Sequence, residues 1–125
     1  MESQKEVYNA SQGSVRAFAT DEPSKGDSTR HHYRVTHKPA ADGPEIDLAV
    51  VKFQNGLPSE VGVNGVTDEA LLSVLADHIE GFQRGPCDCQ ANRQAAWNIR
   101  EAIRWLKQRT PTQMGAVQGN APPKE

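Results

Sequence analysis

The sequence predicts an α+β fold: a short antiparallel β-hairpin or sheet, then an antiparallel two-helix hairpin, assembled as a homo-oligomer. Three observations predict it. Residues 45–53 are rich in β-branched and apolar side chains and run into Asn55-Gly56, a strong short-range hairpin signal. Two amphipathic stretches follow, joined by the tight Phe82-Gln83-Arg84-Gly85-Pro86. Two helices cannot bury both apolar faces alone, and a core confined to residues 31–109 is small enough to need partner copies.

The elements follow in chain order. Residues 1–30 are rich in Ser, Lys, Glu, Asp and Gly and read as a flexible tail. His31 to Thr36 is a short strand candidate, and Lys38 to Pro44 a loop with two prolines. Glu45 to Phe53 is the main strand, with Ile46, Leu48, Val50 and Phe53 on one face and Ala49 and Val51 on the other. Glu60 to Val63 is the expected return strand after Asn55-Gly56. Helix one spans about 67–83. Thr67 is its N-cap, Asp68 and Glu69 suit the positive end of its dipole, and Gly85-Pro86 ends it. Leu71, Leu72, Val74, Leu75, Ile79 and Phe82 form its apolar arc. Helix two begins between Cys89 and Asn92 and ends near Arg109, before Pro111. Ala95, Ile99, Ala102 and Leu106 form its stripe. The short connection forces the helices antiparallel. Residues 110–125 hold three prolines and two glycines and read as a second tail.

Bulk properties exclude several classes. A net charge of −2 and a pI of about 6.1 argue against a nucleic-acid coat. No apolar run approaches the roughly 20 residues of a membrane span. The N-terminus lacks the apolar segment of a signal peptide. Cys87 and Cys89, one residue apart, suit a reducing cytoplasm better than a structural disulfide. That spacing also departs from the two-residue step of zinc sites, so no metal is expected. His31, His32 and His37 read as solvated histidines, and His78 as a core or interface residue. No nucleophile with a base, no carboxylate pair and no phosphate-binding Gly-rich loop is present, so the chain reads as a binder with no catalytic residue and no cofactor.

Four residues are candidate ligand contacts. Phe82 and Asn92 flank the inter-helix loop, where an aromatic and an amide suit stacking and edge recognition of a base. The competing readings are a core anchor for Phe82 and an N-cap for Asn92. Arg93 stands near the N-terminus of helix two, where backbone N–H groups suit an anion. Arg109 borders the apolar stripe at the far end, within reach of another subunit. Arg100, Arg104 and Lys107 read as a solvated face.

Several segments resemble a known family. They are Phe53-Gln54-Asn55-Gly56, Glu60-Val61-Gly62-Val63-Asn64-Gly65-Val66, Glu69-Ala70-Leu71-Leu72, Glu80-Gly81-Phe82-Gln83-Arg84-Gly85-Pro86, Cys89-Gln90-Ala91-Asn92 and Glu101-Ala102-Ile103-Arg104-Trp105-Leu106. In this order they resemble the phage cyclic-nucleotide sponges that counter the Thoeris and CBASS defences, with the Thoeris anti-defence branch favoured. The resemblance implies a protein that sequesters a cyclic ADP-ribose isomer made by a TIR protein, or a cyclic oligonucleotide, without degrading it. It implies a dimer or hexamer in the host bacterial cytoplasm. It also implies ligand contacts at Phe82, Asn92 and Arg109. The chain departs from the family pattern in having Gln90-Ala91 before the Asn where relatives carry an Arg-Glu pair. It has His78 where relatives often have Arg, and Met114-Gly115-Ala116-Val117-Gln118-Gly119 without the basic residues of their C-terminal segment. Two other readings are a dimeric adaptor that docks a host protein through its hairpin, with Trp97 exposed, and a small DNA-binding regulator using Arg100 and Arg104.

Overall fold

The computed structural model describes residues 4–10 and 14–114. The chain forms two compact units, divided between Gly65 and Val66. The sequence places residues 31–109 in one domain, so the division at this point is a finding of the structure.

The first unit is a four-stranded antiparallel meander in the order β1-β2-β3-β4: β1 Lys5–Asn9, β2 Val15–Ala19, β3 His32–His37 and β4 Ile46–Lys52. The expected N-terminal tail therefore carries two strands. Phe18 and Ala19 of β2 are buried, and that burial against β3 is what repays their ordering. β3 and β4 match the predicted strands within a residue at each end.

Pairing assigns the faces. Tyr33 and Val35 lie opposite Val51 and Ala49 of β4, and opposite Ala19 and Ala17 of β2, so one face is apolar. Phe53 packs edge-on against Tyr33, with ring centroids 5.6 Å apart, and so belongs with Ala49 and Val51. The expectation that Phe53 shares a face with Val50 is corrected: residues 49, 51 and 53 alternate together. The register shifts between Val35 and Thr36, leaving Leu48 as the extra residue of a β-bulge.

The other face is charged. Glu45 accepts from Arg16 at 2.5 Å and from the Thr36 hydroxyl at 2.9 Å, and Arg34 pairs with Asp47 at 2.7 Å. The Arg16 guanidinium also stands over the Phe18 ring, 5.0 Å from its centroid. Hydrogen bonds from Arg16 and then Thr36 hold the Glu45 carboxyl below its usual range.

The predicted return strand is absent. After β4 the chain forms a single helical turn, α1 Pro58–Val61, with Pro58 in its first turn. Proline has no N–H to give a ladder. Two amide side chains close the loop instead. Gln54 donates to the carbonyls of Gly56 (3.1 Å) and Gly62 (2.8 Å) and accepts from the N–H groups of Asn64 (2.9 Å) and Gly65 (3.3 Å). Asn64 returns the clasp by accepting from Asn55 N (2.8 Å) and donating to Asn55 O (2.9 Å). Gly65 passes so close to the strand that a Cβ there would lie 2.5–2.6 Å from backbone atoms of Phe53 and Lys52.

The second unit is the predicted helical hairpin, α2 Asp68–Gln83 and α3 Gln90–Leu106. Thr67 caps α2 as expected, its hydroxyl accepting from Ala70 N at 3.1 Å. The helices meet over the small Ala76 and Ala96 with Ile103, all buried. Glu80 clasps Arg100 in a two-point ion pair, both bonds 2.9 Å. Arg100 is thus a bridge between helices, where the sequence reading made it a solvated residue. A 3₁₀ turn, Thr112–Met114, follows α3. The expected C-terminal tail from residue 115 onward lies outside the described residues.

Candidate functional site

The loop end of the helical hairpin holds three of the four candidate residues. Phe82 stands in the last turn of α2 and keeps 40% of its surface exposed. Its only ring contact among the described residues is the edge of His78, at 5.3 Å between centroids and 71° between planes. The ring is therefore only partly spent on packing. By helical geometry Leu71, Leu75, His78 and Phe82 share a stripe about 100° from the side of α2 that meets α3. Leu71 and Leu75 in that stripe are exposed, and Ala95, Ile99, Ala102 and Leu106 of α3 flank it half-buried. One side of the hairpin, apolar apart from His78, is left uncovered by the described residues.

Asn92 lies in the first turn of α3 but is not its N-cap. That role falls to Cys89, whose thiol sulfur accepts from Asn92 N at 3.4 Å. The Asn92 side chain instead reaches back into the loop and donates from Nδ2 to the Cys87 carbonyl at 3.0 Å. Both cysteines are exposed free thiols. Among the described residues no group of three or more His, Cys, Asp or Glu is placed to hold a metal ion.

Arg93 pairs with Asp88 at 2.8 Å, both side chains about half exposed. The backbone N–H of Arg93 bonds the Cys89 carbonyl at 3.0 Å, and that of Asn92 is taken by the Cys89 thiol. These two amides are already committed, and an anion would have to compete with Asp88 for the Arg93 guanidinium. The Gln83 amide completes the loop: its neighbours assign its nitrogen to the side of Asp88 (2.9 Å) and its oxygen to the side of Arg93 N (3.3 Å). Sequence reasoning missed Asp88 and Gln83 because nothing in their spacing marks a loop clasp.

Arg109 lies at the opposite end. Its guanidinium spans Asp68 and Glu69 in the first turn of α2, each at 3.2 Å, and its Nε donates to Leu106 O at 3.0 Å. The side chain is 24% exposed. At 1.5 Å per residue Asn92 and Arg109 are about 25 Å apart along the hairpin. The structure therefore places Phe82, Asn92 and Arg93 at one end of the hairpin and Arg109 at the other.

Trp97 and Trp105 are exposed on α3. An open groove of about 580 Å³ runs beside Trp97, lined by Gln90, Arg93 and Gln94. No helix among the described residues is long and apolar enough to cross a membrane.

No family model matches the chain. It is 38% identical over 63 residues to "Thoeris anti-defense 1" of Bacillus phage SBSphiJ7, a match covering 50% of this chain and 44% of that protein. The chain thus spans less than half the length of the curated relative it matches. Over that half of its length the chain is similar to a Thoeris anti-defence protein.

Proposed function

We propose that the protein is a phage anti-defence factor that binds a nucleotide immune signal and keeps it from its receptor without degrading it. The signal is a cyclic ADP-ribose isomer made by a TIR protein, or a cyclic oligonucleotide. The half-chain identity to a Thoeris anti-defence protein carries the biological role. The half-exposed Phe82 ring, at the same end of the hairpin as the Asn92 amide and the Arg93 cation, supports the chemistry: stacking for a base, an amide for its edge or a ribose hydroxyl, and a charge for phosphate.

Arg109 joins such a site only from a second copy. An antiparallel pair of hairpins, apolar side to apolar side, brings the Arg109 end of one chain to the Phe82 end of the other. The exposed Leu71, Leu75 and Phe82 stripe supports that pairing, since exposed apolar surface of this kind marks interaction sites. A dimer or hexamer in the host cytoplasm follows from the same reading.

The test is retention and release. Purified protein is mixed with a cyclic ADP-ribose isomer or cyclic oligonucleotides, filtered free of unbound ligand, then heat-denatured. Intact nucleotide in the supernatant is expected, and Phe82→Ala loses it. No retained nucleotide, or a cleaved one, refutes the reading. The exposed Trp97 and Trp105 favour one alternative, an adaptor that docks a host protein. It requires that Trp97→Ala abolish function while Phe82→Ala spares it.

A further inference from the structure

We infer that the Cys87–Cys89 loop is a positioning device for Asn92. It turns the amide so that Oδ1 faces the ligand, and the site thereby selects a nucleotide that presents an N–H or O–H donor there. The inference rests on the sequestration reading and adds the polarity of the contact.

An Asn side chain has two different ends, an acceptor oxygen and a donor NH₂. Which end faces out decides what it recognises. Here the choice is made by the backbone. The Cys87 carbonyl can only accept, so the atom 3.0 Å from it is Nδ2, and the amide cannot rotate by half a turn without setting two oxygens against each other. Nδ2 is turned toward the loop. Oδ1 takes the other direction, and no described residue donates to it. The main chain of Asn92 is fixed as well, since its N–H bonds the Cys89 thiol. Both ends of the residue are thus held by the same three-residue turn.

A preset acceptor has a chemical consequence. A ligand that desolvates Oδ1 without supplying a donor leaves a lone pair unmet, and discrimination against such ligands is steep. Three parts of a nucleotide carry suitable donors: an exocyclic base amine, the ring N–H of a keto base and a sugar hydroxyl. An unprotonated ring nitrogen, a keto oxygen or a phosphate oxygen does not.

The experiment compares three probes on the full chain by equilibrium binding: a cyclic ADP-ribose isomer, its analogue with the 6-amino group replaced by hydrogen, and its analogue with free hydroxyls replaced by fluorine. At least one analogue is expected to bind about tenfold or more weakly. The analogue that weakens identifies the donor as base amine or hydroxyl. In Asn92→Ala the penalty disappears. Equal binding of all three probes overturns the inference, and so does a penalty that persists in Asn92→Ala. Failure of the parent nucleotide to bind refutes the sequestration reading itself, a different result. A second measurement needs no ligand. Hydrogen exchange by NMR is expected to show one Asn92 side-chain N–H slowed relative to exposed amides, and free exchange of both overturns the positioning role.

Discussion

Arg109 separates a ligand role from a structural one, and its replacement can be costed from the geometry. In Arg109→Ala two ion pairs at 3.2 Å and one bond to the Leu106 carbonyl vanish. The Asp68 arm is half exposed, and an exposed pair contributes about 0.5 kcal/mol. Glu69 is 21% exposed beside an arginine 24% exposed, so that arm is worth about 1 kcal/mol after screening. The bond to the Leu106 carbonyl adds about 0.5 kcal/mol, while the dipoles of α3 and α2 act on the cation in opposite senses. The loss is about 2 kcal/mol, or roughly 8–16 °C in Tm for a unit of this size. Urea unfolding followed by circular dichroism, without ligand, measures it. A double-mutant cycle with Glu69→Gln should return a coupling of about 1 kcal/mol that shrinks at 1 M salt. If Arg109→Ala unfolds within about 0.3 kcal/mol of the parent at both salt concentrations, the clamp reasoning fails and the ion pairs contribute nothing.

Other outcomes follow from separate parts of the fold. Gly65→Ala places a Cβ against rigid backbone and should cost about 2 kcal/mol or more, while Gly85→Ala, with open space around it, stays within about 0.5 kcal/mol; parallel urea midpoints decide. Cys89→Asp puts a stronger acceptor at the α3 N-cap and should stabilise the hairpin by about 0.5–1 kcal/mol in the same assay. Glu45 and Glu80 are held below their usual value of 4.5 by Arg16 and Arg100 respectively. Their contribution is complete above about pH 4.5 and is lost as pH falls through the lower folded-state values. Urea midpoints between pH 3 and 6 should therefore fall less on acidification in the Glu45→Gln, Glu80→Gln double variant than in the parent.

The helical hairpin was legible because its signals are local. Thr67, the acids after it, the apolar steps of 3 and 4 and the Gly85-Pro86 stop each act within a turn or two. β3 and β4 were legible for the same reason. β1 and β2 were not. The buried side chains of β2 are Phe18 and Ala19, adjacent rather than alternating, and alanine is a weak strand signal. Asn55-Gly56 misled because the bonds that override it run from Gln54 to Gly62, Asn64 and Gly65, across 8–11 residues with no periodic trace. At the site, Phe82 and Asn92 could be named from their place beside the loop. The partners of Arg109 could not, being 40 and 41 residues away. An N-cap was the competing reading of Asn92, yet Cys89 holds that role and the Asn92 side chain reaches back to Cys87.

The bulge in β4 also sets which length changes the sheet tolerates. Leu48 has no cross-strand partner, whereas Asp47 opposes Thr36 and Ala49 opposes Val35. Thr36 and Val35 point to opposite sides, so removing Leu48 would leave every other residue of β4 on its present side. Cutting out Val50 or Val51 would instead draw Leu48 into the ladder and turn Ala49 to the opposite side. Loss of one residue should therefore be accepted at Leu48 or its neighbour Ala49 more readily than farther along the strand.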